Sequence, residues 1–154
     1  MQMLEILTDI TDGKGKPGDI DLLLELSEAI KAGSLCALGG TAPNPVLTTI
    51  RYFREEYEAH INDKQCPAKV CKKLISFHII PDKCQGCLIC MRNCPVNAII
   101  GGKRMIHVID QSICTRCGTC LDVCPPKFNA VVVVSGEQPQ TPEEPIPVGS
   151  WEKA

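Results

Sequence analysis

Residues 84–95 read CQGCLICMRNCP and residues 114–125 read CTRCGTCLDVCP. Both are C-x-x-C-x-x-C-x-x-x-C-P, and each cysteine of the first run recurs thirty positions later. A cube of four irons and four sulfides needs four thiolates converging from a concave backbone, and this is the spacing that supplies them. The short gaps let three cysteines wrap one cube, while the fourth, followed by Pro, reaches the other cube. The spacing therefore assigns Cys84, Cys87, Cys90 and Cys124 to one 4Fe–4S cluster. Cys114, Cys117, Cys120 and Cys94 hold a second. Zinc also takes C-x-x-C pairs, but eight thiolates in this repeated form point to clusters.

Outward from the runs, the repeat continues: Ala98-Ile99-Ile100 answers Ala130-Val131-Val132. Short strands are predicted at 77–80, 99–100, 107–109 and 131–134, with a turn at Gly101-Gly102. Residues 76–134 thus read as a ferredoxin-like unit. The halves differ in one place, where Cys94-Pro-Val-Asn-Ala becomes Cys124-Pro-Pro-Lys-Phe-Asn-Ala, two residues longer. Gly86 and Gly118 are expected where backbone N–H groups approach cluster sulfurs. Ile89, Ile99, Ile113 and Val123 are expected to bury the cubes. Residues 81–134 hold six basic and three acidic side chains, which offsets most of the roughly −4 carried by two oxidised clusters with their thiolates.

The first sixty residues read as helical. Met3, Leu4, Ile6, Leu7 and Ile10 form one apolar face that stops at the glycines between 13 and 18. Asp19 is the expected N-cap of a second helix carrying Ile20, Leu23, Leu24, Leu26 and Ile30, closed by Gly33. Residues 35–45 (LCALGGTAPNP) are predicted as loop. A third helix starts after Pro45 with Val46, Leu47, Ile50, Phe53 and Tyr57 on one side. The fold class is therefore α+β: a small helical bundle (1–60), a connector (61–75), the ferredoxin-like 2×4Fe–4S unit with short antiparallel strands (76–134), and a Pro-rich tail (135–154). The tail reads as extended or disordered chain, with docking on a partner as the other reading.

Composition excludes several classes. A formal net charge of −2 is no nucleic-acid footprint. The uninterrupted apolar runs are a few residues long, far below a membrane span. The amino terminus carries acidic residues and no basic leader, so it is not a secretory signal. Eleven cysteines raise the prospect of a secreted disulfide framework, but the count is odd and the spacings suit clusters. A reducing cytoplasm fits.

Cys36, Cys66 and Cys71 remain. Cys66 and Cys71, in CPAKVC, have the spacing of half a tetrahedral zinc site. His60, six residues earlier, and His107, at a predicted strand start, are the candidate further ligands, with Cys36 as another. The other readings are two reduced, partly buried thiols and, third, a disulfide. His78 alternates with apolar Phe77 and Ile79 and reads as a solvent-facing strand residue. A cysteine like Cys36, between Leu35 and Ala37, is most often a small buried hydrophobe.

The string around it carries more. Ser34-Leu35-Cys36-Ala37-Leu38-Gly39-Gly40, followed by APNPVLTTIRYFREEYEAHI, closely resembles the carboxyl-terminal part of the NADH- and FMN-binding flavoprotein subunit of NADH dehydrogenases. It resembles still more closely the relatives in NAD(P)-linked and electron-bifurcating hydrogenases that carry an added two-cluster ferredoxin domain. The resemblance runs from about Met1 to Val134. It implies that Cys36 is the fourth ligand of a further 4Fe–4S cluster, orphaned here because its three companions lie upstream. It also implies that the FMN and NAD sites belong to a part outside this chain; Gly13, Gly15 and Gly18 match a nucleotide loop only weakly and suit a turn. The expected function is an electron-transfer module of a multisubunit NADH-linked oxidoreductase, with no complete catalytic site. Its partners would be other subunits of a flavin–iron–sulfur oxidoreductase or hydrogenase, and ferredoxin. The alternative is a free-standing two-cluster ferredoxin with a helical extension, which has no use for the SLCALGG loop.

Overall fold

In the computed structural model, which describes residues 2–151, the chain divides into two units between Leu74 and Ile75. The first is helical. The apolar face expected from the amino-terminal spacing forms α1 (Gln2–Thr11), and Ile10 from it is buried. In α2 (Asp19–Gly33), Ile20 and Leu23 are buried. Gly18, not Asp19, is the N-cap: its φ of 97° is left-handed, a conformation glycine adopts without steric cost. Asp19 opens the helix, and its carboxylate accepts the Lys16 N–H at 2.8 Å.

The stretch expected as loop contains a short helix, α3 (Ala37–Thr41), which leaves Leu35 and Leu38 exposed. Next, α4 (Asn44–Glu58) begins with Pro45 in its first turn, where the missing N–H costs nothing. It breaks at Phe53 (φ −131°, ψ 33°). Phe53 is therefore exposed rather than aligned with Val46, Ile50 and Tyr57 on the packed face. The chain then widens into a π turn over Ala59–Asp63 that buries His60 and Ile61. Ile10, Ile20, Leu23, Ile50 and Ile61 make the core of this unit.

The second unit is two β-α-β halves. The first comprises β1 (Ser76–Ile79), α5 (Ile89–Asn93) and β2 (Ile99–Ile100). The other comprises β3 (Val108–Ile109), α6 (Thr119–Asp122) and β4 (Val131–Val134). Among the described residues the strands pair only across the halves and antiparallel: β1 with β4, Ser76 opposite Val134, and β2 with β3, Ile99 opposite Ile109. Each sheet thus takes one strand from each half. The repeat extends to backbone conformation. Gly86 (φ 62°) matches Arg116 (φ 57°), and Leu88 (φ 67°) matches Gly118 (φ 87°), each pair thirty residues apart and left-handed. Each run thus needs two left-handed residues, and the halves place glycine at different ones.

At Gly86 the space for a side chain is closed by backbone. A Cβ there would lie 2.5 Å from the Met105 N and 2.7 Å from the Arg104 N. Gly86→Ala is expected to destabilise this unit by about 2 kcal/mol or more. Thermal loss of the iron–sulfur absorbance at a lower temperature than in the parent chain would register it.

His78 is a correction. It is 6 % exposed, its Nε2 is 2.9 Å from the Ser76 hydroxyl, and burial lowers its pKa. The face expected to meet solvent borders a cavity whose other wall is Gln138, Thr141, Pro142 and Glu143 from the Pro-rich segment. That segment has a place in the fold. The Ile106 N–H donates to the Ile146 carbonyl at 2.7 Å, the Val148 N–H donates to the Arg104 carbonyl at 3.0 Å, and Trp151 packs against the core.

Candidate iron–sulfur and metal sites

Six of the eight run cysteines lie in or against the core of the second unit. Cys84 and Cys90 are buried among Ile75, Phe77, Ile79, Ile99 and Ile106, and Cys94, Cys114, Cys120 and Cys124 pack against that cluster. One cavity is lined by Cys94 together with Cys114, Cys117 and Cys120, capped by Phe77, Ile99 and Ile109. The fourth cysteine of the first run thus shares a site with the first three of the second. On the other side, Cys90 lies close enough to Cys84 and Cys87 to feel their charge. Burial and those thiols push it up to about 12. Cys120 is pushed up to about 11 by burial and by Cys114 and Cys117. Thiols that resist ionisation so strongly suit a site where a bound cation displaces the proton.

The backbone is arranged for anionic sulfur. The Ala98 N–H donates to Cys94 Sγ at 3.3 Å, and its repeat counterpart, Ala130 N–H, donates to Cys124 Sγ at 3.4 Å. The Arg116 N–H donates to Cys114 Sγ at 3.4 Å. Such N–H···S contacts stabilise cluster thiolates, so convergence, mutual repulsion and donor supply all fit 4Fe–4S ligation. Of the residues expected to bury the cubes, Ile99 does lie in the core and Val123 packs on it. Ile89 and Ile113 are exposed, being the residues adjacent to ligand positions Cys90 and Cys114 that point away from the core. Cys87 and Cys117, equivalent in the repeat, are both exposed. Hydrogen bonding from Thr119 lowers the pKa of Cys117.

In the first unit, His60, Cys66 and Cys71 offer ligand atoms that all lie within 4.8 Å of one another. The π turn presents His60, and single π turns recur at functional positions. His60 Nδ1 is 2.7 Å from the Glu56 carbonyl, which can only accept, so Nδ1 holds a proton. In the neutral ring Nε2 then carries the lone pair, 3.4 Å from Cys71 Sγ. A backbone carbonyl orients metal-binding histidines in the same way. Burial raises the Cys66 thiol, but the N–H groups of Cys71 and Val70, with the Cys71 and His60 side chains, outweigh it and hold the thiol at about 7. Cys71 moves the other way, to about 11, through burial, Cys66 and the charge of Asp12. The pair alone carries one negative charge readily and not two.

His107 belongs to the second unit, 1 % exposed, with Nδ1 3.5 Å from Cys90 Sγ. Burial lowers its pKa, against a Gly102 backbone interaction that raises it. Cys36 is exposed on the loop before α3, unlike the buried hydrophobe its surroundings suggest, and is not in the His60 group. The spacing did not reveal that Leu88 and Arg116 share the left-handed geometry of the glycines; aligning the two runs would have.

Comparison with known proteins gives the same division. Residues 1–60 match the NADH-ubiquinone oxidoreductase-F iron-sulfur binding region, and residues 83–128 match a 4Fe-4S dicluster domain. The HndC component of the NADP-reducing hydrogenase of Solidesulfovibrio fructosivorans is 52 % identical over 106 residues, 69 % of this chain and 22 % of that protein. The F component of the NADH-quinone oxidoreductase of Streptomyces coelicolor is 43 % identical over 65 residues, 42 % of this chain and 14 % of that protein. The mitochondrial NADH dehydrogenase (ubiquinone) flavoprotein 1 of Dictyostelium discoideum is 46 % identical over 70 residues, covering 40 % and 15 %. The chain thus spans between about a seventh and about a fifth of the length of these relatives. Among the described residues no helix is long and apolar enough to cross a membrane. The chain is an iron–sulfur electron-transfer module that joins a region of the NADH-ubiquinone oxidoreductase-F type to a 4Fe-4S dicluster domain.

Proposed function

We propose that this chain is the distal electron-transfer section of a larger cytoplasmic NAD(P)H-linked oxidoreductase of the dehydrogenase or hydrogenase kind. Its helical bundle precedes a ferredoxin-like domain that carries two 4Fe–4S clusters, one on Cys84, Cys87, Cys90 and Cys124, the other on Cys114, Cys117, Cys120 and Cys94. The observation that carries this reading is the cavity Cys94 shares with the second run. Cys36, exposed beside Leu35 and Leu38, is available to complete a further 4Fe–4S cluster with three cysteines from another part of the assembly. FMN and NAD would bind in that part. Other subunits, or a ferredoxin, would take the electrons.

His60, Cys66 and Cys71 would hold zinc, with a fourth position left for another donor. In a tetrahedron with Zn–S bonds of about 2.3 Å the ligand atoms sit roughly 3.8 Å apart, within the spread these three atoms have. The zinc would tie the π turn to the 66–71 loop.

Bound clusters supply one-electron storage and release. The protein's part is to bury Cys84 and Cys90, to aim N–H groups at Cys94, Cys114 and Cys124, and to leave Cys87 and Cys117 facing outward. Iron and sulfide analysis of anaerobically purified chain is expected to give about eight of each. Four or fewer would sink the two-cluster reading.

A further inference from the structure

His107 is among the most deeply buried polar side chains of the described residues, and the ligand sets proposed above do not include it. Its Nδ1 lies 3.5 Å from Cys90 Sγ, Nε2 has no hydrogen-bond partner among the described residues, and the Gly102 backbone is the other polar group acting on the ring. A buried polar atom without a partner costs about 1–3 kcal/mol, a cost an aliphatic side chain would avoid. The ring's position depends on Gly101, where a Cβ would come within 2.0 Å of His107 Cδ2. The imidazole is therefore wedged with one edge on a cluster thiol.

The repeat sharpens this. Thirty residues before His107 stands Phe77. Phe77 lines the cavity of Cys94, Cys114, Cys117 and Cys120, and its Cζ would be 3.7 Å from a Cβ at Gly118. The two halves thus place different groups against the two ligand sets: one has a ring with N–H capacity, the other a hydrocarbon.

We propose that His107 donates its Nδ1–H to Cys90 Sγ and so raises the reduction potential of the cluster held by Cys84, Cys87, Cys90 and Cys124 above that of its partner. This rests on the reading of Cys90 as a cluster ligand. A ligating cysteine is a thiolate without a proton, so the bond requires the proton on Nδ1. When one electron enters, part of the added negative charge falls on the thiolate sulfurs, and a donor there favours the reduced state. His107 is a tuning residue that acts through Cys90, and electrons would come to rest on its side of the domain.

The test is a potentiometric titration of the full chain followed by EPR. His107→Phe copies the residue at the equivalent position and removes the donor, whereas His107→Asn keeps an N–H where Nδ1 was. With iron content at the parent level, His107→Phe is expected to lower one midpoint and leave the other. The expected size is about a tenfold fall in the reduced-to-oxidised ratio at fixed potential, about 59 mV for one electron. His107→Asn is expected to recover most of it. An unchanged midpoint, or an upward shift from the opposite tautomer, overturns the proposal. Should His107→Phe lose its clusters, pulsed EPR of the reduced parent chain with 15N-labelled histidine decides: a histidine nitrogen coupling supports the bond and its absence overturns it. A parent chain without clusters would overturn the underlying reading instead, a result distinct from an unshifted midpoint.

Discussion

Cys94→Ser is expected to release the cluster associated with Cys114, Cys117 and Cys120, while the one associated with Cys84, Cys87 and Cys90 stays. Iron per chain should fall from about eight to about four. Mild alkylation followed by mass spectrometry should then label Cys114, Cys117 and Cys120 and spare Cys84, Cys87 and Cys90. The reason is the cavity in which Cys94 stands with the second run. If each run served its own cube, the labels would fall on the first run, and the crossed assignment would be wrong. The structural cost should exceed one lost ligand. Strands of two and four residues that pair only across the halves make a poor scaffold alone, since isolated two-stranded ribbons are marginal in water. Metal binding and folding are linked in such a unit. Protease cutting between residues 110 and 130 should accelerate, with the helical unit's amide protection unchanged.

Cys66→Ser is expected to abolish zinc binding, weakening it more than roughly 100-fold, while the cluster absorbance stays intact. Parent chain that holds no zinc after metal-free handling and zinc addition would remove the site. The pH dependence follows from the thiols. Zinc must displace the protons that remain on Cys66 and Cys71. With Cys66 at about 7 and Cys71 at about 11, one proton leaves on binding between those values and two leave below 7. Affinity should therefore rise about tenfold per pH unit above 7 and about a hundredfold per unit below it. A competition assay with a zinc-binding dye from pH 6 to 9 would read this slope, and a flat profile would exclude thiolate ligation.

Much of the second unit was legible because its ligand spacing and its repeat are written in single residues. The four strands lie within one residue of where alternation put them, since Gly101-Gly102 and the cysteine runs leave little room elsewhere. His78 was misjudged for a reason local patterning cannot see: its solvent side borders a cavity walled by residues sixty positions away. The exposure of Phe53 was hidden likewise, because the helical period presumes an unbroken helix and the backbone breaks at that residue. His60 was found by proximity in sequence, but the π turn that turns its Nε2 to Cys71 leaves no sequence signature. His107 was singled out as a ligand-type residue at a strand start; that packing on Gly101 sets its ring against Cys90 is written in no local pattern.

Each half turns its second cysteine, Cys87 or Cys117, to the surface while its first and third are sunk deeper. With clusters on both ligand sets, the domain would have two doorways rather than one. Donor and acceptor would then each have a doorway of their own.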